Sequence, residues 1–175
     1  TDSNNTDQDS TLCPCDGEDL VELFGECFYI PSTTVLNFSS SQLSGPIPPE
    51  IGRLVNLVYL NLGYNNFTSI PDEIGNLTNL QTLILSHNSI GVAGNVPNTN
   101  CSEETGCGLP ESIGNLTELR YLDLERFDSI WTNDASLNYY IAFREEDGNI
   151  PAQGPVGWML PPSIGNLTNL EELNI

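Results

Sequence analysis

IGNLTNL, residues 74–80, returns letter for letter at residues 164–170 and with one change, IGNLTEL, at residues 113–119. Together with the related EIGRLVNL at residues 50–57, it places isoleucines at Ile51, Ile74, Ile113 and Ile164, in steps of 23, 39 and 51. The two longer steps exceed 23 by 16 and by 28, so the chain reads as one 23-residue unit interrupted twice by insertions.

Each unit shares an internal pattern, clearest from Leu57 through Leu60, Leu62, Asn65, Phe67, Ile70, Pro71 and Ile74 to Leu77. Leucines that alternate with other residues are the period-two signature of a strand with one buried face. No single unit can bury that face alone, so successive units must stack into a continuous core. Asn65 and Asn88 stand where the chain leaves the strand, and their amides are expected to bond turn backbone in the adjacent coil. Within the heptad, Gly75 is expected to supply a permissive backbone and Leu77 to enter the core.

This pattern, LxxLxLxxNxF followed by IPxxIGxL, resembles the leucine-rich repeat. LSGPIPPEIG at residues 43–52 is similar to the plant-type subclass of receptor-like ectodomains and secreted inhibitor proteins. The resemblance implies an α/β repeat: a right-handed solenoid of about five coils, with a parallel concave β-sheet and a disulfide-bearing N-terminal cap. LFGEC at residues 23–27 resembles the WxGVxC element of such caps, with Phe24 in the tryptophan position. We therefore expect an acidic flexible tail over residues 1–12, a cap over 13–34 and repeats over 35–175. The repeats carry insertions at about 91–108 and 131–159, and the last is incomplete, so either a longer chain or another subunit would cover its apolar end.

Five cysteines and no lysine distinguish the composition. Cys27 is expected to pair with Cys13 or Cys15, and Cys101 with Cys107 across a small loop, leaving one thiol over. Disulfides imply a secreted, extracellular or cell-surface protein. The spacing fits no zinc site, and neither a metal nor a cofactor is expected. With 24 acidic residues against four arginines, the formal net charge is −20, which argues against nucleic acid and anionic membranes as partners and favours cationic ones. No apolar run approaches the ~20 residues needed to span a bilayer.

The heptad also contains a sequon. Asn4, Asn37, Asn66, Asn76, Asn100, Asn115 and Asn166 are all candidates for N-glycosylation, and Asn76, Asn115 and Asn166 share one position in their repeats. A glycan at Asn37 would cover part of the concave face.

Function in a solenoid is carried by the outward residues of its concave sheet and by irregular insertions. The outward set is expected to include Val58, Tyr59, Asn61, Gly63 and Tyr64, then Gln81, Thr82, Ile84, Ser86 and His87, then Arg120, Tyr121, Asp123, Glu125 and Arg126. Tyr59, Tyr64, Tyr121 and Arg126 are interface-forming residue types. The second insertion adds Trp131, Tyr139, Tyr140, Phe143, Arg144 and Trp158, which either bind a ligand or pack a satellite core beneath the loop. His87 is the sole histidine and no nucleophile motif occurs, so an enzyme is not expected. The reading is a glycoprotein recognition module for protein, peptide or glycan. The alternative is a structural subunit stacked end to end in a fibre or surface layer.

Overall fold

The computed structural model describes residue 15 and residues 17–90, 108–125 and 160–175. The chain begins with an antiparallel hairpin, β1 (Leu20–Leu23) and β2 (Glu26–Tyr29). Its two-residue turn, Phe24-Gly25, has positive φ at both positions, 55° and 83°, the geometry that suits the twist of a tight hairpin. Cys15 bonds Cys27, with their Cα atoms 5.9 Å apart. Val21 and Leu23 turn inward, and Phe24 packs edge-on against Phe38 of the first coil at 5.0 Å between ring centroids. It also reaches Phe67 at 5.4 Å. Phe24 thus packs, partly buried, against the core beside the first coil.

The remaining described strands are β3 (Val35–Asn37), β4 (Ser44–Pro46), β5 (Tyr59–Asn61), β6 (Asn66–Ser69), β7 (Thr82–Ile84), β8 (Tyr121–Asp123) and β9 (Glu172–Asn174). β3, β5, β7, β8 and β9 form one parallel five-stranded sheet in chain order. The register aligns Leu36, Leu60, Leu83, Leu122 and Leu173, so one leucine from each coil enters the same core row. Insertions of very different length leave this register intact. β4 and β6 pair separately in a second parallel sheet.

The helical part of each unit is a five-residue 3₁₀ segment, at Pro49–Arg53, Asp72–Asn76, Glu111–Asn115 and Pro162–Asn166, and no α-helix occurs among the described residues. Each segment is preceded by a proline in extended backbone, and that proline's carbonyl accepts from the isoleucine amide three residues on, as in Ile74 N to Pro71 O at 3.1 Å. A 23-residue coil leaves room for only this tight turn between strands.

The glycine of three of the four units serves a different purpose from the one expected. Gly52, Gly75 and Gly114 have no positive φ. Instead, a Cβ on Gly75 would lie 2.5 Å from Ser112 O and 2.7 Å from Ser112 Cβ, and Gly52 and Gly114 are equally crowded by the next coil. Glycine is there to let adjacent 3₁₀ turns touch. Ile51, Ile74, Ile113 and the leucines around them are consequently fully buried.

Two asparagine ladders then join the coils. The buried Asn65 donates to Phe38 O at 2.8 Å and to Leu62 O at 3.0 Å, while its oxygen accepts from the amides of Ser41 and Leu43. Asn88 repeats this with Leu62 O, Leu85 O and the amide of Phe67, as the sequence suggested. The second ladder was not anticipated. Asn56, Asn79 and Asn169, each the asparagine just before a core leucine, donate to Pro31 O, Val55 O and Thr117 O of the preceding coil. In the unit at residues 113–119, Glu118 stands in this place.

Candidate functional site

The concave sheet presents two outward rows. One runs Val35, Tyr59, Thr82, Tyr121, Glu172, and the other Asn37, Asn61, Ile84, Asp123, Asn174. These residues are half-buried or exposed, while the leucines between them are in the core. Side chains at the strand exits shape the edge of this face. Asn37, Asn61 and Asp123 each accept the amide two residues on, at 3.0 Å, which turns the chain out of the strand. Gly63 and Ser86, expected outward by alternation, are buried: each lies two residues past the end of its strand, where period two no longer holds.

Beyond that turn the next register position is Ser40, Tyr64 and His87, all with left-handed backbone at φ 57°, 56° and 55°. Tyr64 is 58% exposed and stacks on His87 with centroids 4.1 Å apart and planes 14° from parallel. Both line a shallow depression with Ser40, Gln42, Asn65 and Asn66. Tyr64 is therefore set apart from Tyr59 and Tyr121, which lie on the sheet itself.

Charge grades along the face. From β3 to β7 the outward rows are aromatic, aliphatic or uncharged. At β8 and β9 they carry Asp123 and Glu172, with Glu125 just beyond the strand and Glu171 just before it. Arg120, the cation of this region among the described residues, is paired with Glu171 at 2.9 Å. Tyr121 registers the field: burial, then the carboxylates of Asp123 and Glu172, push its phenol above the ordinary value, opposed by a hydrogen bond with Asn174.

The other expected site residues divide in two. Among the sequons, Asn37, Asn66, Asn76, Asn115 and Asn166 are exposed, and Asn76, Asn115 and Asn166 each close a 3₁₀ segment rather than lying in the concave sheet. Arg126, Trp131, Tyr139, Tyr140, Phe143, Arg144, Trp158, Asn4, Asn100, Cys13, Cys101 and Cys107 lie outside the described residues.

Two family models described as leucine rich repeat match the chain, one over residues 31–90 and one over residues 79–116. They span the same coils whose strands, 3₁₀ turns and asparagines fall in register. Residues 31–116 are leucine-rich repeats, and part of the chain is similar to a plant receptor-like protein of that class. A 32-residue stretch of it is 66% identical to a probable leucine-rich repeat receptor-like protein kinase of Arabidopsis thaliana, covering 18% of this chain and 3% of the kinase. Among solved structures it is similar to the plant peptide hormone receptor RGFR1 in complex with RGF2, at 30% identity over 78% of this chain and 15% of that one, with a TM-score of 0.48. The ectodomain of the Arabidopsis thaliana receptor kinase GASSHO1/SCHENGEN3 gives 33% identity over 53% of this chain and 10% of that one, with a TM-score of 0.43. A leucine-rich repeat protein of Leptospira interrogans gives 36% identity over 48% of this chain and 17% of that one, with a TM-score of 0.37. This leucine-rich repeat chain thus spans a small fraction of each relative. No helix among its described residues is long and apolar enough to cross a membrane.

Proposed function

We propose that this leucine-rich repeat chain is an extracellular or cell-surface recognition module that binds a protein or peptide along its concave sheet. The observation that carries the reading is the graded face: open tyrosine, threonine and aliphatic positions over β3–β7 lead into carboxylates at β8 and β9. An extended ligand with apolar residues at one end and basic residues at the other matches it in shape and charge. The cap disulfide supports an oxidising compartment, and the receptor-like name of the Arabidopsis relative agrees with a cell-surface location. The second insertion, about 131–159, follows β8 in the chain, and its aromatic residues are proposed to extend the same surface. The reading is of a binding module rather than an enzyme, since the sole histidine, His87, is packed face to face on Tyr64.

End-to-end assembly has weaker support. Ile164, Leu170 and Leu173 are half-buried, but they present the surface that each interior coil offers its successor. A further repeat would cover them as well as another subunit would.

A displayed random peptide library selected on the intact chain tests the recognition reading. Selected peptides should be basic and bind less tightly as salt rises from ~0.05 to ~0.5 M. Tyr59→Ala with Tyr121→Ala should weaken them by about tenfold or more at a temperature where circular dichroism shows the variant still folded. Peptides that bind the double variant as well as the parent would defeat the proposal.

A further inference from the structure

We propose that Asn66 carries an N-linked glycan whose first sugar rests on the ring of Tyr64. The inference depends on the extracellular reading above and concerns a different surface. Asn66-Phe67-Thr68 is a sequon at the start of β6, where Phe67 is fully buried and Asn66 and Thr68 alternate onto the outer side. The strand fixes this backbone, and the Asn66 amide bonds Leu43 O at 2.8 Å. The other described sequons differ. The Asn37 side-chain oxygen is taken by Ser39 N, and the amide nitrogens of Asn76, Asn115 and Asn166 sit against Gly52, Gly75 and Gly114, 3.1 Å from where a Cβ would stand. The Asn66 side chain enters none of the hydrogen bonds of the described residues and lines the depression with Tyr64, Ser40 and Gln42.

Tyr64 supplies a platform there. His87 of the next coil covers one face of its ring at 4.1 Å, and the corresponding residue of the preceding coil is only Ser40, so the ring stays 58% exposed. An exposed aromatic face two residues before the attachment point suits the apolar C–H side of a hexose, while the Ser40 hydroxyl and Gln42 amide can bond its polar rim. In the attachment, Asn66 Nδ2 bonds the anomeric carbon of a lipid-diphosphate-linked oligosaccharide. The C1–O bond breaks, the lipid diphosphate leaves with the electron pair, and the amide gives up one proton. Tyr64, a ligand candidate by residue type, is thereby withdrawn from the recognition face and given a role in holding the sugar.

The test is secretion of the full chain from a glycosylating eukaryotic host, followed by glycopeptide mapping and thermal melting. Asn66 should be occupied in most molecules, and endoglycosidase trimming to the single core sugar should leave the melting temperature unchanged. Asn66→Gln should lower it by about 2–4 °C in the parent and in Tyr64→Phe. In Tyr64→Asn, which removes the ring but keeps a residue tolerant of left-handed backbone, the same change should have no effect. An unoccupied Asn66 beside occupied sequons, or equal loss with and without the ring, would overturn this inference alone. Absence of sugar from every sequon would overturn the extracellular reading and this inference with it.

Discussion

Gly75→Ala and Gly165→Ala change the same letter of the same heptad and should have opposite effects. At Gly75 the new methyl would stand 2.5 Å from Ser112 O, 2.7 Å from Ser112 Cβ and 3.1 Å from Asn115 Nδ2. The first of these is a backbone atom, which no rotamer change can move, so the coils must separate by about 0.8 Å to restore van der Waals contact. That opens the interface beneath Ile74, Ile113, Leu77 and Leu116, all fully buried. Forced overpacking of this kind costs about 3 kcal/mol. For a chain of this size the midpoint should fall by roughly 6–12 °C. At Gly165 nothing lies within 4 Å of the added methyl and φ is not positive. Alanine there restricts the unfolded chain and should stabilise the 175-residue protein by about 0.4–1 kcal/mol. Calorimetry on the two variants and the parent gives the comparison. Equal shifts, or a Gly75→Ala midpoint within ~2 °C of the parent, would refute the view that glycine is there for close approach between coils.

Other expectations follow from the ladders and the charged end of the sheet. Asn88→Ala strips partners from Phe67 N, Leu62 O and Leu85 O at a site 1% exposed, and should cost about 3 kcal/mol or more in urea unfolding. Glu118→Asn restores the interrupted outer ladder, offering an amide to Thr78 O of the preceding coil, and should raise stability by about 0.5–1 kcal/mol in the same assay. The folded Tyr121 phenol is raised above its unfolded value, so its contribution is fully present below pH ~10 and lost as pH rises through the higher folded value. Tyr121→Phe should remove a late-ionising component from the absorbance titration.

Letter by letter, IGNLTNL shows what sequence reasoning reaches. Ile74, Leu77 and Leu80 are legible because an apolar residue at fixed spacing has one economical place, the core. Gly75 and Asn79 are not, because their roles belong to pairs of residues 24 to 37 positions apart, Asn79 with Val55 and Gly75 with Ser112. The repeat pattern marks the glycine and the asparagine but not what lies across the groove between coils. Asn65 and Asn88 were more accessible, since a buried amide at a strand exit has few partners besides turn carbonyls. At the candidate site, alternation placed Tyr59 and Tyr121 on the open face. It failed at Gly63 and Ser86, two residues past the ends of their strands, because an alternation rule carries no information on where a strand stops. The Tyr64–His87 stack joins two coils through residues 23 apart and has no signature in either residue's neighbourhood. Its one sequence clue is the equality of that separation with the repeat length.

The claim that the concave sheet is the recognition surface is tested most directly by placing one bulky cation at its centre and another outside it. Thr82 lies mid-row on the sheet, and Val55, 44% exposed, lies outside both outward rows in the turn before β5. Thr82→Arg and Val55→Arg change net charge equally, so affinity for a peptide selected on the parent separates position from charge. The account predicts at least about tenfold weaker binding for Thr82→Arg and parent-like binding for Val55→Arg. Equal affinity of the two variants would contradict it.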